Sequence, residues 1–476
     1  MESMDFIKAL VLLAAYALGA PLLGFILKGR RKLQNAAFAL MCFLTISGLF
    51  SASEWGLTVN DVPDYRGTAR GFHCYFDVIL AEALMIGILL ESPRKFRWAP
   101  PGLWLYLTYI ALSMLSIFNA PMPLYCWFAA WKQLQVIFIF VAAYNFIRTI
   151  GDVRLLLTTF VVTMGWELVA VLKMKYVNGL YQIAGTFEHQ NALAMYANLI
   201  GLVFLGAGAG PKQPRSTVYL AGFLICCWIA ECTLSRGGLV ALAGGAGLVM
   251  LWSLADKITP RRIAVVSALS VIALIGVLIA YRTIQNRFNA TYNADSAMTR
   301  VLLNQASRQM LHDRPMGQGW NNFAVVINPP YHYGDVVDNY FKRLGEFSGV
   351  DKNKGIVESH YYLLLAETGY QGLAGYLLFI GFFLWLNIRA AFHFRCHFLG
   401  AVSIGIAVGC ASNYVQSLLE RVLTQPRNMM EWLILLALTA KIETWRRASK
   451  AQQAQRPQAP QRSAKAKPLY QRPVST

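Results

Sequence analysis

The chain has 476 residues, of which 56% are hydrophobic and 14% charged, against about 25% charged in a soluble globular protein. Long, nearly charge-free stretches alternate with short basic clusters, which excludes a soluble globular domain and reads as many spans of roughly 20 apolar residues. The net charge of +19 raises nucleic acid as a partner, but the basic residues sit beside apolar runs, where anionic headgroups and positive-inside sorting account for them.

The expected fold is an all-α polytopic membrane protein of about 12–13 transmembrane helices with one long, partly helical outward loop. The first apolar segment, Asp5 to Leu27, is too long for a signal-peptide core and has no small-residue cleavage site, so it is a span. Further spans are expected near 34–51, 73–91, 102–118, 124–147, 154–176, 190–208, 216–233, 238–255, 263–281, 359–387, 398–417 and 430–442. The sequence thus divides into an N-terminal bundle (1–281), a long loop (282–358), C-terminal transmembrane helices (359–442) and a basic, Gln/Ala/Pro-rich tail (443–476) expected to be disordered.

Orientation follows from lysine and arginine in short loops. The clusters are Lys28 to Lys32, Arg94 to Arg97, Arg148 with Arg154, Lys212 with Arg215, Lys257 with Arg261 and Arg262, and Arg389 with Arg395. They fall on every second loop, which makes that side cytoplasmic, and the tail joins it. Thirteen spans place the N-terminus outside; twelve, with the first segment broken at Gly19-Ala20-Pro21, place it inside. The loop 282–358 then faces out, and with nine basic and seven acidic residues it is neither a basic nor an acidic tail. A connection this long is functional or has its own structure. The eight cysteines lie in or beside apolar segments, with no CxxC pair, and read as buried small apolar residues.

Positive-inside sorting makes outward arginines informative. Arg236 opens an apolar span in Leu234-Ser235-Arg236-Gly237-Gly238. It either snorkels to headgroups or grips a phosphate with its planar fork, the two glycines leaving the backbone open to a ligand. Asp295 to Asp313 reads as an amphipathic helix capped by Asp295 or Ser296. Met298, Leu302, Ala306 and Met310 form its apolar face; Arg300, Asn304, Ser307 and Arg308 lie on the other. This helix either rests on the membrane surface or holds Arg300 over the same anion as Arg236.

His360 lies where the loop re-enters the membrane, with Ser359 as a helix cap and Glu367 two turns on, on the same face. It is either an interfacial residue or a base, histidine being the side chain best suited to take a proton near neutral pH. Gly369, Gly372 and Gly375 point to close helix packing. The segment Gly185 to Asn191, with His189 and Asn191, either binds sugar hydroxyls or caps the next helix, capping being the simpler role for Asn191. There is no Asp-x-Asp pair, His-Glu-x-x-His, P-loop or Gly-x-Ser-x-Gly; Asp335 and Asp338 are a weak metal signal. A nucleotide-driven reaction does not fit.

Taken in order, four segments resemble the O-antigen ligase family, related to O-antigen polymerases and bacterial O-linked protein oligosaccharyltransferases. They are Gly-Thr-Phe-Glu-His-Gln-Asn at 185–191, Ser-Arg-Gly-Gly at 235–238, the Arg300 helix running on through Gly317-Gln318-Gly319-Trp320-Asn321-Asn322-Phe323, and Ser359-His360-Tyr361-Tyr362-Leu363 to Glu367-Thr368-Gly369. The resemblance implies an inner-membrane enzyme with a periplasmic site that moves a finished O-antigen glycan from undecaprenyl pyrophosphate to lipid A-core, using no metal, nucleotide or other cofactor. It places the family's functional residues on His360, as the base, and on Arg236 and Arg300, at the donor pyrophosphate; His189, Asn191, Arg308, Gly317, Gly319 and Glu367 in the same segments are candidate substrate-binding positions. The expected partners are the lipid-linked donor, the lipid A-core acceptor and membrane lipids, with no nucleic acid. The rival readings are a polymerase, a protein oligosaccharyltransferase and, in a different class, a lipid-glycan flippase, which would need charged groups along a mid-membrane path.

Overall fold

The structure, a computed structural model, describes residues 2–46, 56–271, 274, 285, 292–344 and 355–454. It is an all-α polytopic membrane protein with one two-stranded sheet among the described residues. Among the described residues, eight helices are long and apolar enough to cross a bilayer: Phe6–Leu27, Pro123–Phe146, Ile150–Val177, Gln190–Ala209, Ser216–Thr233, Arg236–Asp256, His360–His393 and Phe398–Gln416. Large apolar side chains such as Val162, Val169, Leu251 and Leu378 stay exposed on them, as lipid-facing surfaces require. Of the other expected spans, 73–91 is a short strand followed by Phe76–Glu91, which carries Asp77, Glu82 and Glu91. The segment 102–118 is the shorter apolar helix Leu103–Asn119. The segment 430–442 lies within the longer helix Pro426–Ala454, while 34–51 and 263–281 run into residues outside the described set.

The first segment is not broken at Gly19-Ala20-Pro21. Ala15–Gly19 is a π-helical turn, and the chain stays in the right-handed helical region through Ala20. The wider turn accommodates the proline ring and its missing N–H. The hub of the bundle is Gln190–Ala209, buried at every position from Ala192 to Ala209. Small residues let backbones approach there: a Cβ on Gly206 would lie 2.4 Å from the Ala401 carbonyl oxygen.

All six basic clusters meet at one end of the bundle. Arg31 pairs with Asp152, Arg148 with Glu91 at 2.9 Å and Arg262 with Asp256 at 2.9 Å. Arg154 donates to Gln213, Arg261 to the carbonyls of Gly208 and Gly210, and Arg395 pairs with Asp256. The last helix runs to Ala454, so residues 443–454 are not the start of a disordered tail. Buried Glu443 fixes them, pairing with Arg389, Arg446 and Arg447. Residues 455–476 of that tail lie outside the described residues. Cys396 at this end is exposed, unlike the buried cysteine expected there.

The long loop folds back on the protein. The helix Tyr292–Asp313 begins before Asp295 and Ser296, so neither caps it. Leu302, Ala306 and Met310 pack with Phe323, Val326, Ile327 and Leu363 in a separate apolar cluster, which uses the amphipathic face on protein instead of lipid. Ser307, expected on the polar side, is buried there and donates to the Leu303 carbonyl; Met298 is exposed.

Candidate functional site

At the end opposite the basic clusters lies a cleft of about 700 Å³. The helices Gln190–Ala209 and His360–His393 both start beside it. Strands β1 (Gly56–Val59) and β2 (Phe72–Tyr75) pair antiparallel, with Val59 opposite Phe72, and the loop between them forms one wall. Asn321 fastens that loop: its side-chain oxygen accepts from the Thr68 and Ala69 N–H groups at 2.8 and 3.1 Å, and its amide donates to the Ala69 carbonyl at 2.8 Å. The other wall is Glu420 and Arg421 with the 422–426 turn; Glu188, His189 and Glu358 face in.

Charge of both signs lines the cleft. Arg300 reaches it from the loop helix, donating through Nε to Glu358 and through Nη2 to Glu420 at 3.0 Å. The Asn191 amide donates to the same Glu420 oxygen at 2.6 Å. Burial pushes the Glu420 carboxyl up to about 7, helped by Glu358, although Arg300 and Asn191 pull it down. Burial also lowers His189 from its ordinary value, against the opposing pull of Glu358. The helix cap in this segment is His189 and not Asn191: His189 Nδ1 accepts from the Asn191 N–H at 3.3 Å. Arg421 lines the cleft beside them, its pKa lowered by burial.

His360 is buried beneath the cleft. It is the first residue of its helix; Ser359 makes no side-chain cap, and the His360 N–H donates to the Ser417 carbonyl at 3.0 Å. Its ring stands edge-on to Tyr376, centroids 4.9 Å apart. Among the described residues, neither ring nitrogen has a hydrogen-bond partner. A small void beside the ring is lined by Thr68, Lys132 and Thr424, which also line the cleft. Lys132 Nζ donates to the carbonyls of Thr68 at 2.6 Å and Thr424 at 3.0 Å, joining the two walls above the histidine.

Arg236 is half-buried and does not line the cleft. Ser235 caps its helix by accepting from the Gly238 N–H at 3.3 Å. Gly238 is not open to a ligand, since a Cβ there would lie 2.8 Å from that of Ala194. A Cβ on Gly237 would lie 3.8 Å from the Gln416 amide, at the same helix end that receives the His360 N–H. Arg308 is exposed and donates to the Tyr362 hydroxyl, away from the cleft.

Glu367, Gly317 and Gly319 form a backbone joint. Glu367 is buried, and its carboxylate accepts from the Phe323 N–H at 3.1 Å. The Gln318 and Gly319 N–H groups donate to the carbonyls of Ala366 and Glu367. Gly369, expected to serve helix packing, instead breaks the helix with φ of 67°, and the Tyr370 N–H turns to the Pro315 carbonyl. Gly317 has φ of 88°, and a Cβ on it would sit 2.3 Å from the Glu367 carbonyl oxygen. Gly317→Ala should therefore cost about 1–3 kcal/mol in backbone strain alone and pull the loop off the His360 helix. A clearly lower unfolding temperature in detergent is the expected result; an unchanged one would remove the joint's structural role. Among the described residues, no three His, Cys, Asp or Glu side chains gather to hold a metal ion.

A family model described as O-antigen ligase matches residues 221–377, about a third of the chain. The match supports assignment to the O-antigen ligase family. That family indicates an O-antigen ligase or polymerase type of function, and its members are glycosyltransferase-like enzymes. No curated protein matches the chain. The matched stretch contains Arg236, Arg300, His360 and Glu367, but of the residues that line the cleft it contains Glu358 alone. Glu420, Arg421, Lys132 and the β1–β2 loop were missed from sequence. Two signals pointed to them: Lys132 is a charge inside an apolar span, and Arg421 is an arginine on the side that positive-inside sorting depletes.

Proposed function

We propose that this protein is a glycosyltransferase of the bacterial inner membrane that moves O-antigen glycan from undecaprenyl pyrophosphate to lipid A-core in the cleft, on the periplasmic side. The observation that carries this reading is a buried histidine with two unpartnered ring nitrogens under a cleft where arginines and carboxylates converge. Arg300 holds the donor pyrophosphate at the cleft, joined by Arg236 from a helix start outside the cleft lining, and together they offset the negative charge that develops as it leaves. The acceptor sugar hydroxyl attacks the anomeric carbon, the C–O bond to the pyrophosphate breaks, and the configuration inverts. His360 takes the hydroxyl's proton. The energy comes from the pyrophosphate ester, so neither nucleotide nor metal takes part.

The test is reconstitution with purified lipid-linked glycan and lipid A-core. Transfer should survive chelator and nucleotide depletion at an unchanged rate. Activity lost in chelator and restored by a divalent ion would overturn the metal-free mechanism. Elongation of the lipid-linked glycan without transfer to lipid A-core would make the protein a polymerase instead.

Donor binding should depend on pH through Glu420. To grip the pyrophosphate, Arg300 must give up its bonds to Glu358 and Glu420. As pH falls through about 7, Glu420 takes a proton, Arg300 loses one of its two carboxylate partners, and one negative charge facing the anion disappears. The donor pyrophosphate is esterified at both ends and keeps its charge across this range. His189, with a lowered pKa, stays neutral there. Donor affinity should thus rise as pH falls through about 7, and Glu420→Gln should abolish the step. A titration that is flat in the wild type, or unchanged in Glu420→Gln, would contradict this.

A further inference from the structure

The void beneath the cleft measures about 20 Å³, and a cavity needs roughly 10–15 Å³ by such a measure to hold one water, together with two to four polar partners. Most of its lining is apolar or aromatic, including Ala129, Leu364 and Trp432. Its polar groups divide in two. Gln133 accepts from the Tyr106 hydroxyl at 2.5 Å, Glu367 from the Phe323 N–H, and Lys132 donates to two carbonyls. By contrast, the His360 ring nitrogens and the Tyr376 hydroxyl, on residues 3% and 2% exposed, have no hydrogen-bond partner among the described residues. Leaving a buried polar atom unpaired is costly, and because both residues line one small void, a single ligand there would pair the Tyr376 hydroxyl with the His360 nitrogen that faces it. Thr68, Lys132 and Thr424 border both spaces, so the void lies directly under the cleft floor.

We propose that the void is a water site, and that one water held there by His360 and the Tyr376 hydroxyl carries the acceptor's proton to His360. This rests on the transfer reaction and the base assignment proposed above. The acceptor hydroxyl gives its proton to the water as its oxygen bonds to the anomeric carbon. The water passes one of its own protons to the unpaired His360 nitrogen, and the pyrophosphate leaves with the electron pair of the broken C–O bond. Buried His360 thus serves a cleft that it does not itself line.

Single-turnover transfer in mixtures of light and heavy water tests this, because two protons in flight give a curved dependence on the deuterium fraction and one gives a line. The wild type should curve. Ala129→Val, which fills the void from a position away from the charged groups, should slow transfer at least tenfold with donor affinity unchanged. Should Ala129→Val fail to accumulate, Tyr376→Phe takes its place, with a slower and less curved response expected. A linear wild-type dependence, or a filled void that transfers at the wild-type rate, overturns the water site. His360→Ala separates the two claims: if it transfers normally, the base assignment itself falls, whereas an inactive His360→Ala beside a linear wild type removes the water alone.

Discussion

His360→Ala is expected to lower transfer by about 10²- to 10⁴-fold, the usual contribution of a positioned base, while leaving donor binding intact. Three features of the structure support that separation. The ring does not line the cleft where the pyrophosphate would sit. Its nitrogens hold no protein hydrogen bond that the substitution would break. The bond that anchors the helix start runs from the backbone N–H to Ser417, and alanine keeps it. What is lost is packing against Tyr376, which shows as a modest drop in unfolding temperature. Single-turnover transfer with saturating donor, beside a direct donor-binding measurement, reads the two effects apart. A near wild-type rate would mean that the acceptor's proton goes elsewhere, and Glu420 would be the first residue to examine.

The sequence was most legible where a single periodic pattern decides the outcome. Apolar runs located the eight spanning helices found among the described residues, and the four-residue spacing of Leu302, Ala306 and Met310 located the face that packs. It was least legible where one residue type serves two purposes. Gly369 looks like its neighbours Gly372 and Gly375, yet it takes φ of 67° and ends one helix to start another. The structure shows what sets it apart: a Cβ there would lie 2.3 Å from the Pro315 carbonyl oxygen. Gly317 and Gly319, read as substrate-binding positions, are places where two backbones touch. The cleft was hidden for another reason: its walls come from residues 58–75, 188–189 and 420–426, which share no local pattern. Asn321 is the clearest example. Its place in a Trp-Asn-Asn-Phe run says nothing of the loop it holds more than 250 positions earlier.

Arg300→Lys and Arg236→Lys should each reduce transfer roughly ten- to a hundredfold with expression and detergent stability near normal. The size follows from losing one charge-assisted hydrogen bond, about 1.5–3 kcal/mol. For Arg300 the geometry is explicit. Its Nε and Nη2 engage two carboxylates, Glu358 and Glu420, at once; a pyrophosphate replacing them meets the same planar fork, which lysine lacks. For Arg236 the expectation is less direct, because it stands at the start of another helix and does not line the cleft. The double variant therefore carries the most information. If both arginines grip one anion, the second substitution finds the grip already weakened, and the losses combine to less than their product. If Arg236 only anchors its helix at the membrane edge, lysine reaches the same headgroups, the single change is nearly silent, and the double variant equals Arg300→Lys. Transfer assays at matched protein levels decide among these. Wild-type activity in both single variants would make both arginines anchors, and the donor site would then move to the remaining cations of the cleft, Arg70, Lys132 and Arg421.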